Sequence, residues 1–150
     1  MLTVDARGLS CPEPVMLMLD AIGKTIDKIH TAQKNTAEDY RAERVLFVII
    51  TDGAENASRR YSSMQVKEMI RRQKEKYGWE FLFLAANIDA VETARKYGIG
   101  KDRAVNYRAD SRGTRLNYEV LSDAIDAVRG NEVLGENWKE RIDQDYEDRK

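Results

Sequence analysis

The chain is poor in the residues that build most thiol and imidazole sites: one cysteine and one histidine in 150 residues. A lone cysteine cannot close an internal disulfide, which fits a reducing compartment. A lone histidine, His30, excludes any centre needing two imidazoles, and its position among mixed neighbours predicts a helix surface far from Cys11. No Ser-His-Asp or Cys-His arrangement is therefore credible. Charge of one sign is also missing: 25 basic residues face 26 acidic ones, for a formal net charge of -1. That balance gives no pull toward nucleic acid. No apolar run is long enough to cross a bilayer, so no membrane is expected as a partner. The mean hydropathy of -0.63 suits a soluble protein. The opening Met1-Leu2-Thr3-Val4-Asp5-Ala6-Arg7 lacks the basic and apolar regions of a secretion signal, so the expected location is the cytoplasm. The stretch Thr51 to Ser58 carries neither a Gly-x-Gly-x-x-Gly nor a Lys-Ser/Thr phosphate loop, so no nucleotide signature is present there.

What the chain does have is the run Val45-Leu46-Phe47-Val48-Ile49-Ile50, entering Thr51-Asp52-Gly53-Ala54-Glu55-Asn56. A strand apolar on both faces belongs inside a parallel sheet with helices on each side. Ligands of such sheets gather beyond the carboxyl ends of the strands, which makes Asp52 a candidate binding carboxylate. Glu55, Asn56 and Ser58 follow in the same loop, and Asn56 joins the candidate binding set.

Strand and helix signals alternate along the chain. A short strand is expected at 2–6 and a helix at 14–32, with Leu19, Ile22, Ile26 and Ile29 spaced for one face. After strand 45–50, a helix at 63–77 puts Val66, Met69, Ile70 and Tyr77 on one side, and Gly78 ends it as a left-handed cap. Residues 79–86 form a second buried strand. Asn87-Ile88-Asp89 then turns into a helix at 90–97, with Asp89 as N-cap and Gly98 as stop. Asn87 and Asp89 are also candidate binding residues. A weaker strand is expected at 104–107, followed by a helix at 115–129 capped by Thr114 or Ser111. Its apolar face is Leu116, Val120, Leu121, Ala124, Ile125 and Val128. Trp138, Ile142 and Tyr146 stripe a charged tail helix at 136–148 that packs on the domain or on a partner. Arg59, Arg60, Arg71 and Arg72 read as a solvated basic face. The expected fold is α/β: one domain with a small parallel sheet of about four strands and flanking helices.

The stretches Leu19-Asp20-Ala21-Ile22-Gly23-Lys24-Thr25-Ile26, Phe47-Val48-Ile49-Ile50-Thr51-Asp52-Gly53, Glu55-Asn56-Ala57-Ser58, Tyr77-Gly78-Trp79-Glu80-Phe81 and Ala86-Asn87-Ile88-Asp89-Ala90 carry a resemblance. From 19 to about 130 the chain resembles a bacterial von Willebrand factor A (VWA) domain, which implies a Rossmann-like core. Such domains hold a divalent cation at a metal-ion-dependent adhesion site built by an Asp-x-Ser-x-Ser loop, a Thr and an Asp after the central strand. Of these, only the Asp is matched here, by Asp52. No Asp-x-Ser-x-Ser occurs, and Val15-Met16-Leu17-Met18 stand where the Thr loop is expected. Thioether sulfur is a poor ligand for Mg²⁺. Ser10 is a candidate stand-in for the Thr. The expectation is an incomplete site, with Asp52 its remnant and Mg²⁺ binding weak at most.

Residues 2–18 resemble a different family. Thr3-Val4-Asp5-Ala6-Arg7-Gly8-Leu9-Ser10-Cys11-Pro12-Glu13-Pro14-Val15 is similar to the opening of TusA-like (SirA-like) sulfur carriers, whose signature is Cys-Pro-x-Pro at the start of a helix. Pro14 suits a first helical turn, and a cysteine at a helix N-terminus is driven toward thiolate. The resemblance implies a persulfide on Cys11, the one catalytic candidate. That carrier's later strands and second helix find no match downstream.

The two resemblances meet inside one helix, at about Val15–Leu19, as in a recombined, fused or engineered chain. Three functions stay open: a VWA-like binding or scaffold module without catalysis, a sulfurtransferase-like carrier using Cys11, and a chimera without selected function. No cofactor is expected. The elements a VWA domain normally places before this point are missing, so strand 2–6 is expected at a sheet edge. Self-association through the exposed edge or face follows, unless the tail helix 136–148 covers the gap.

Overall fold

The computed structural model describes residues 18–53 and 60–150. Strand 2–6, the helix start at 14–17, and Ser10, Cys11, Glu55, Asn56, Ser58 and Arg59 lie outside the described residues.

Helix α1 spans Met18–Asn35 and buries Met18, Leu19, Ile22 and Ile26, the spacing read from the sequence. Its last residues run into the polar stretch 33–43, where the tail of the helix and a loop were expected. The Thr36 hydroxyl donates to the Ala32 carbonyl at 2.6 Å, and Arg41 Nε donates to the Thr36 carbonyl at 2.7 Å, folding the following loop back on the helix. Strand β1 is Leu46–Thr51. Helix α2, Ser63–Tyr77, opens with a reciprocal Ser62–Gln65 capping box and closes on Gly78 at φ 68°. That positive φ is why glycine stands there. Strand β2 is Glu80–Ala85, helix α3 is Ala90–Lys96 and strand β3 is Ala104–Asn106.

Helix α4 is Ser111–Arg129, longer at its start than expected. Neither Thr114 nor Ser111 caps it. Asp110 does, its Oδ1 accepting from the Gly113 N–H at 2.7 Å. Glycine, usually a helix breaker, is required here: a Cβ on Gly113 would lie 1.9 Å from the Arg108 carbonyl oxygen. The tail forms a 3-10 turn at Glu136–Lys139 and helix α5 at Glu140–Asp148.

The fold is α/β, with a small open sheet flanked by helices and Rossmann-like in character. Among the described residues the sheet has three parallel strands in the order β1-β2-β3, with Leu46 opposite Glu80 and Phe83 opposite Ala104. The fourth expected strand is the one at 2–6. The alternation of side chains along each strand divides the core into two layers. On one face Phe47, Ile49, Phe81, Phe83 and Ala85 pack under α1, α2 and α3. On the other, Leu82, Leu84 and Val105 pack under α4 and the tail. β2 is buried on both faces, as its unbroken apolar run requires.

The tail packs on the domain. Trp138 and Ile142 are buried against the second face, and Trp138 Nε1 donates to the Asp102 carbonyl at 2.7 Å. Lys139 Nζ donates to the carbonyls of Lys101 and Ala104, both at 2.8 Å. The tail reaches β3 and α4 but leaves the β1 side of this face half-covered: Leu46, Val48 and Ile50 are only partly buried.

Arg149 ties the end of the tail to the start of α4 by pairing with both Asp110 and the buried Asp145. The Arg149 guanidinium, and then the Gly113 N–H, hold the Asp110 carboxyl below its usual range. A depressed folded-state pKa gives stabilisation that is present above the unfolded value and lost as pH falls through the folded one. Acidification below the ordinary carboxylate range is therefore expected to loosen α5, read as a change in Trp138 fluorescence. Asp143, pushed up by burial, acts in the opposite sense. Comparison with Asp110→Asn isolates the clamp: the acid transition should be shallower in that variant, and an unchanged transition would assign it elsewhere.

Candidate functional site

The carboxyl ends of the three strands bring Thr51 and Asp52, Asn87 and Asp89, and Asn106 to one end of the sheet. Thr51 ends β1, and its hydroxyl donates to the Gly53 carbonyl at 3.0 Å, closing a tight turn around Asp52. Asp52 itself is exposed. Asn87 follows β2 in the left-handed region, at φ 62°. Asparagine tolerates that conformation better than most residues, and here its Nδ2 reaches across to donate to the Asp52 carbonyl at 3.1 Å. Asn106, at the end of β3, accepts the Ala90 N–H on Oδ1 at 2.8 Å. Asp89 caps α3, one of its carboxylate oxygens accepting from the Glu92 N–H at 3.0 Å.

So the candidate residues Asp52 and Asn87 are in direct contact, through the Asp52 backbone carbonyl. Asp89 sits one turn further along with one oxygen already engaged. Ser10, Cys11 and Asn56 are not among the described residues. Within those residues, no group of three or more His, Cys, Asp or Glu side chains is placed to hold a metal ion. The described strands also run in chain order without a reversal. The crevice that opens where a doubly wound sheet changes direction is therefore not formed between them.

One part of this end escaped the sequence reading. Asp20, Gly23 and Asp27 lie on one stripe of α1 and seat the segment that returns from the Asp52 loop. Asp20 Oδ1 accepts the N–H groups of both Arg60 and Tyr61, each at 2.9 Å. The Tyr61 hydroxyl donates to Asp27 Oδ2 at 2.7 Å, and this bond is the main reason its phenol is pushed above the ordinary range. The Tyr61 ring lies so close to Gly23 that a Cβ there would come within 2.4 Å of it. The Asp-x-x-Gly-x-x-x-Asp spacing was the available signal, because residues three and seven apart share a helix face.

Among the described residues, Arg71 and Arg72 of the expected basic face have different surroundings. Arg71 pairs with Glu68 and Glu75 along its own helix. At the amino ends of the strands, a groove of about 420 Å³ takes in Lys34, Arg41, Arg72 and Lys76 beside His30 and Tyr77. Lys34 and Lys76 lie in the last turns of α1 and α2, where positive charge complements the helix dipole. His30 is half-buried rather than fully on the surface, its ring meeting Tyr77 edge-on at 5.1 Å with Nδ1 3.4 Å from Gln73 Nε2.

Compared with protein-family models, curated proteins and solved structures, the chain finds no match.

Proposed function

We propose that the chain is a VWA-like binding module that offers the carboxyl edge of its sheet to a protein partner and performs no catalysis of its own. The observation that carries this reading is Asp52. Its carboxylate is exposed at the end of an apolar strand, on a turn fixed by the Thr51 hydroxyl and the Asn87 amide. An exposed carboxylate on a fixed turn, beside asparagine and aspartate, suits recognition of a partner's cationic or amide groups. It does not suit tight Mg²⁺ binding, which calls for several oxygen ligands in near-octahedral array.

The reading predicts that Mg²⁺ binds with a Kd no tighter than about 1 mM, the weak end of protein sites for hard cations. Isothermal titration, with Mn²⁺ relaxation as a sensitive companion, would measure it. A stoichiometric site in the micromolar range that disappears in Asp52→Ala would overturn the proposal, because the cation shell would then be complete.

A further inference from the structure

At the amino side of the sheet, the end opposite Asp52, the chain gathers more positive charge than its own structure uses. Four cations line the groove of about 420 Å³ there: Lys34 from the last turn of α1, Arg41 from the loop after it, and Arg72 and Lys76 from α2. Arg72 and Lys76 are four residues apart and so share one face of their helix. Glu43 is the one carboxylate in the lining, and among the described residues it pairs with none of the four. In a chain whose charges balance overall, this gathering is local, and it costs repulsion.

The helix ends account for part of it. Arg41 donates from Nε to the Thr36 carbonyl at 2.7 Å and from Nη2 to the Lys34 carbonyl at 3.4 Å. Lys76 Nζ lies 5.5 Å from the centre of the Tyr77 ring. Lys34 and Arg72 are not accounted for. Both residues are exposed, and among the described residues neither side chain meets a carboxylate. Arg71, the neighbour of Arg72, pairs with both Glu68 and Glu75. The second sign is in the wall of the groove. Gln73 is 4% exposed, and its Oε1 has no partner. Buried polar atoms in that condition are uncommon. Its Nε2 meets His30 Nδ1 at 3.4 Å, which makes Nδ1 the acceptor and puts the proton of the neutral ring on Nε2. The same groove therefore combines cations, an imidazole N–H and an amide oxygen that lacks a donor.

We propose that this groove binds a small molecule carrying two phosphate groups. Guanidinium forks and ammonium groups both match phosphate oxygens. A single carboxylate would leave most of the four cations unmatched. The volume is that of a small-molecule site. Two sources share this chemistry: inorganic diphosphate, and a hydroxylated organic bisphosphate whose hydroxyl would donate to Gln73 Oε1. The inference does not rest on the proposed function, since Asp52 stands at the other end of the sheet.

Titration of the full chain with inorganic pyrophosphate, and separately with fructose 1,6-bisphosphate, tests it. The salt is held at about 0.15 M, where loosely held ions are screened. Backbone amides and the ring of His30, the only histidine in the chain, report binding by NMR. The expected result is saturable shifts centred on His30, Lys34, Arg41, Arg72 and Gln73, with a Kd below about 1 mM for at least one probe. Arg72→Gln and Lys34→Gln should each weaken binding about tenfold, the effect of losing one charge-assisted hydrogen bond. Lys24→Gln removes the same charge from an exposed position of α1 outside the groove, and should change binding by less than about twofold. Whichever probe binds more tightly names the source, and either answer upholds the site. Shifts that never saturate, or that spread over the whole basic surface, would overturn the proposal. So would equal weakening by all three substitutions, or no binding of either probe. The three substituted residues are exposed, and an unchanged β2 amide spectrum verifies that each variant is folded.

Discussion

Replacing Trp138 by alanine is expected to lower the stability of the whole domain by about 3–5 kcal/mol, the usual cost of truncating a buried tryptophan. For a chain of this length that corresponds to a fall in Tm of about 6–20 °C. Trp138 is 9% exposed and sits on the second face of the sheet with Ile142, over the layer that includes Leu84 and Val105. Its indole N–H also satisfies the Asp102 carbonyl at the turn before β3. The loss therefore spreads to β3, a strand of only three residues that pairs with β2 on one side. Trp138→Phe should fall between the two, because it keeps much of the apolar contact and removes only the donor. Chemical denaturation of the three proteins measures the series. If Trp138→Ala were as stable as the unmodified chain, the tail would be an appendage and not part of the core.

Asp20→Ala is expected to have the second largest effect, about 1.5–3 kcal/mol, the range for hydrogen bonds to a charged group. Its Oδ1 is the acceptor for two consecutive backbone N–H groups, those of Arg60 and Tyr61. Without it, those donors at the start of α2 lose their anchor to α1. Tyr61 is then held chiefly by Asp27 and by the space over Gly23. Asp20→Asn retains an oxygen at that place and should recover most of the loss. Faster amide exchange at Arg60 and Tyr61 in the alanine variant, with unchanged exchange in β2, would locate the damage. Uniform destabilisation across the sheet would show that Asp20 acts on the core and not on the loop.

The elements that could be read in advance were those whose local signals agreed with the final packing. β1 and β2 are continuous apolar runs and lie in the sheet where such runs must lie. α2 ends where a glycine can take positive φ, and α3 begins where an aspartate can cap. The start of α4 was expected at 115, whereas the helix begins at Ser111 and takes Gly113 into its first turn. The reason for a glycine there is the Arg108 carbonyl, a neighbour that only the folded chain supplies. At the candidate site, Asp52 was legible from its place after an apolar strand. The contact between Asn87 and the Asp52 carbonyl was not, since it joins turns 35 residues apart. The Asp20 cradle was only half legible: the Asp-x-x-Gly-x-x-x-Asp stripe marks a face of α1, but the two donors it seats lie 40 and 41 residues away.

The order of strands in the sheet is also the order in which they are made. During synthesis each new strand finds its predecessor already in place, and the helix between them covers the first face as it arrives. The second face follows a different schedule. Among the described residues, Leu82, Leu84 and Val105 gain their cover from α4 and from the tail around Trp138 and Ile142, segments made after all three strands. A nascent chain paused after β3 would show water a fully formed apolar sheet face. Synthesis of the interval between Asn106 and Asp148 is thus the stage at which that apolar face is open to aggregation.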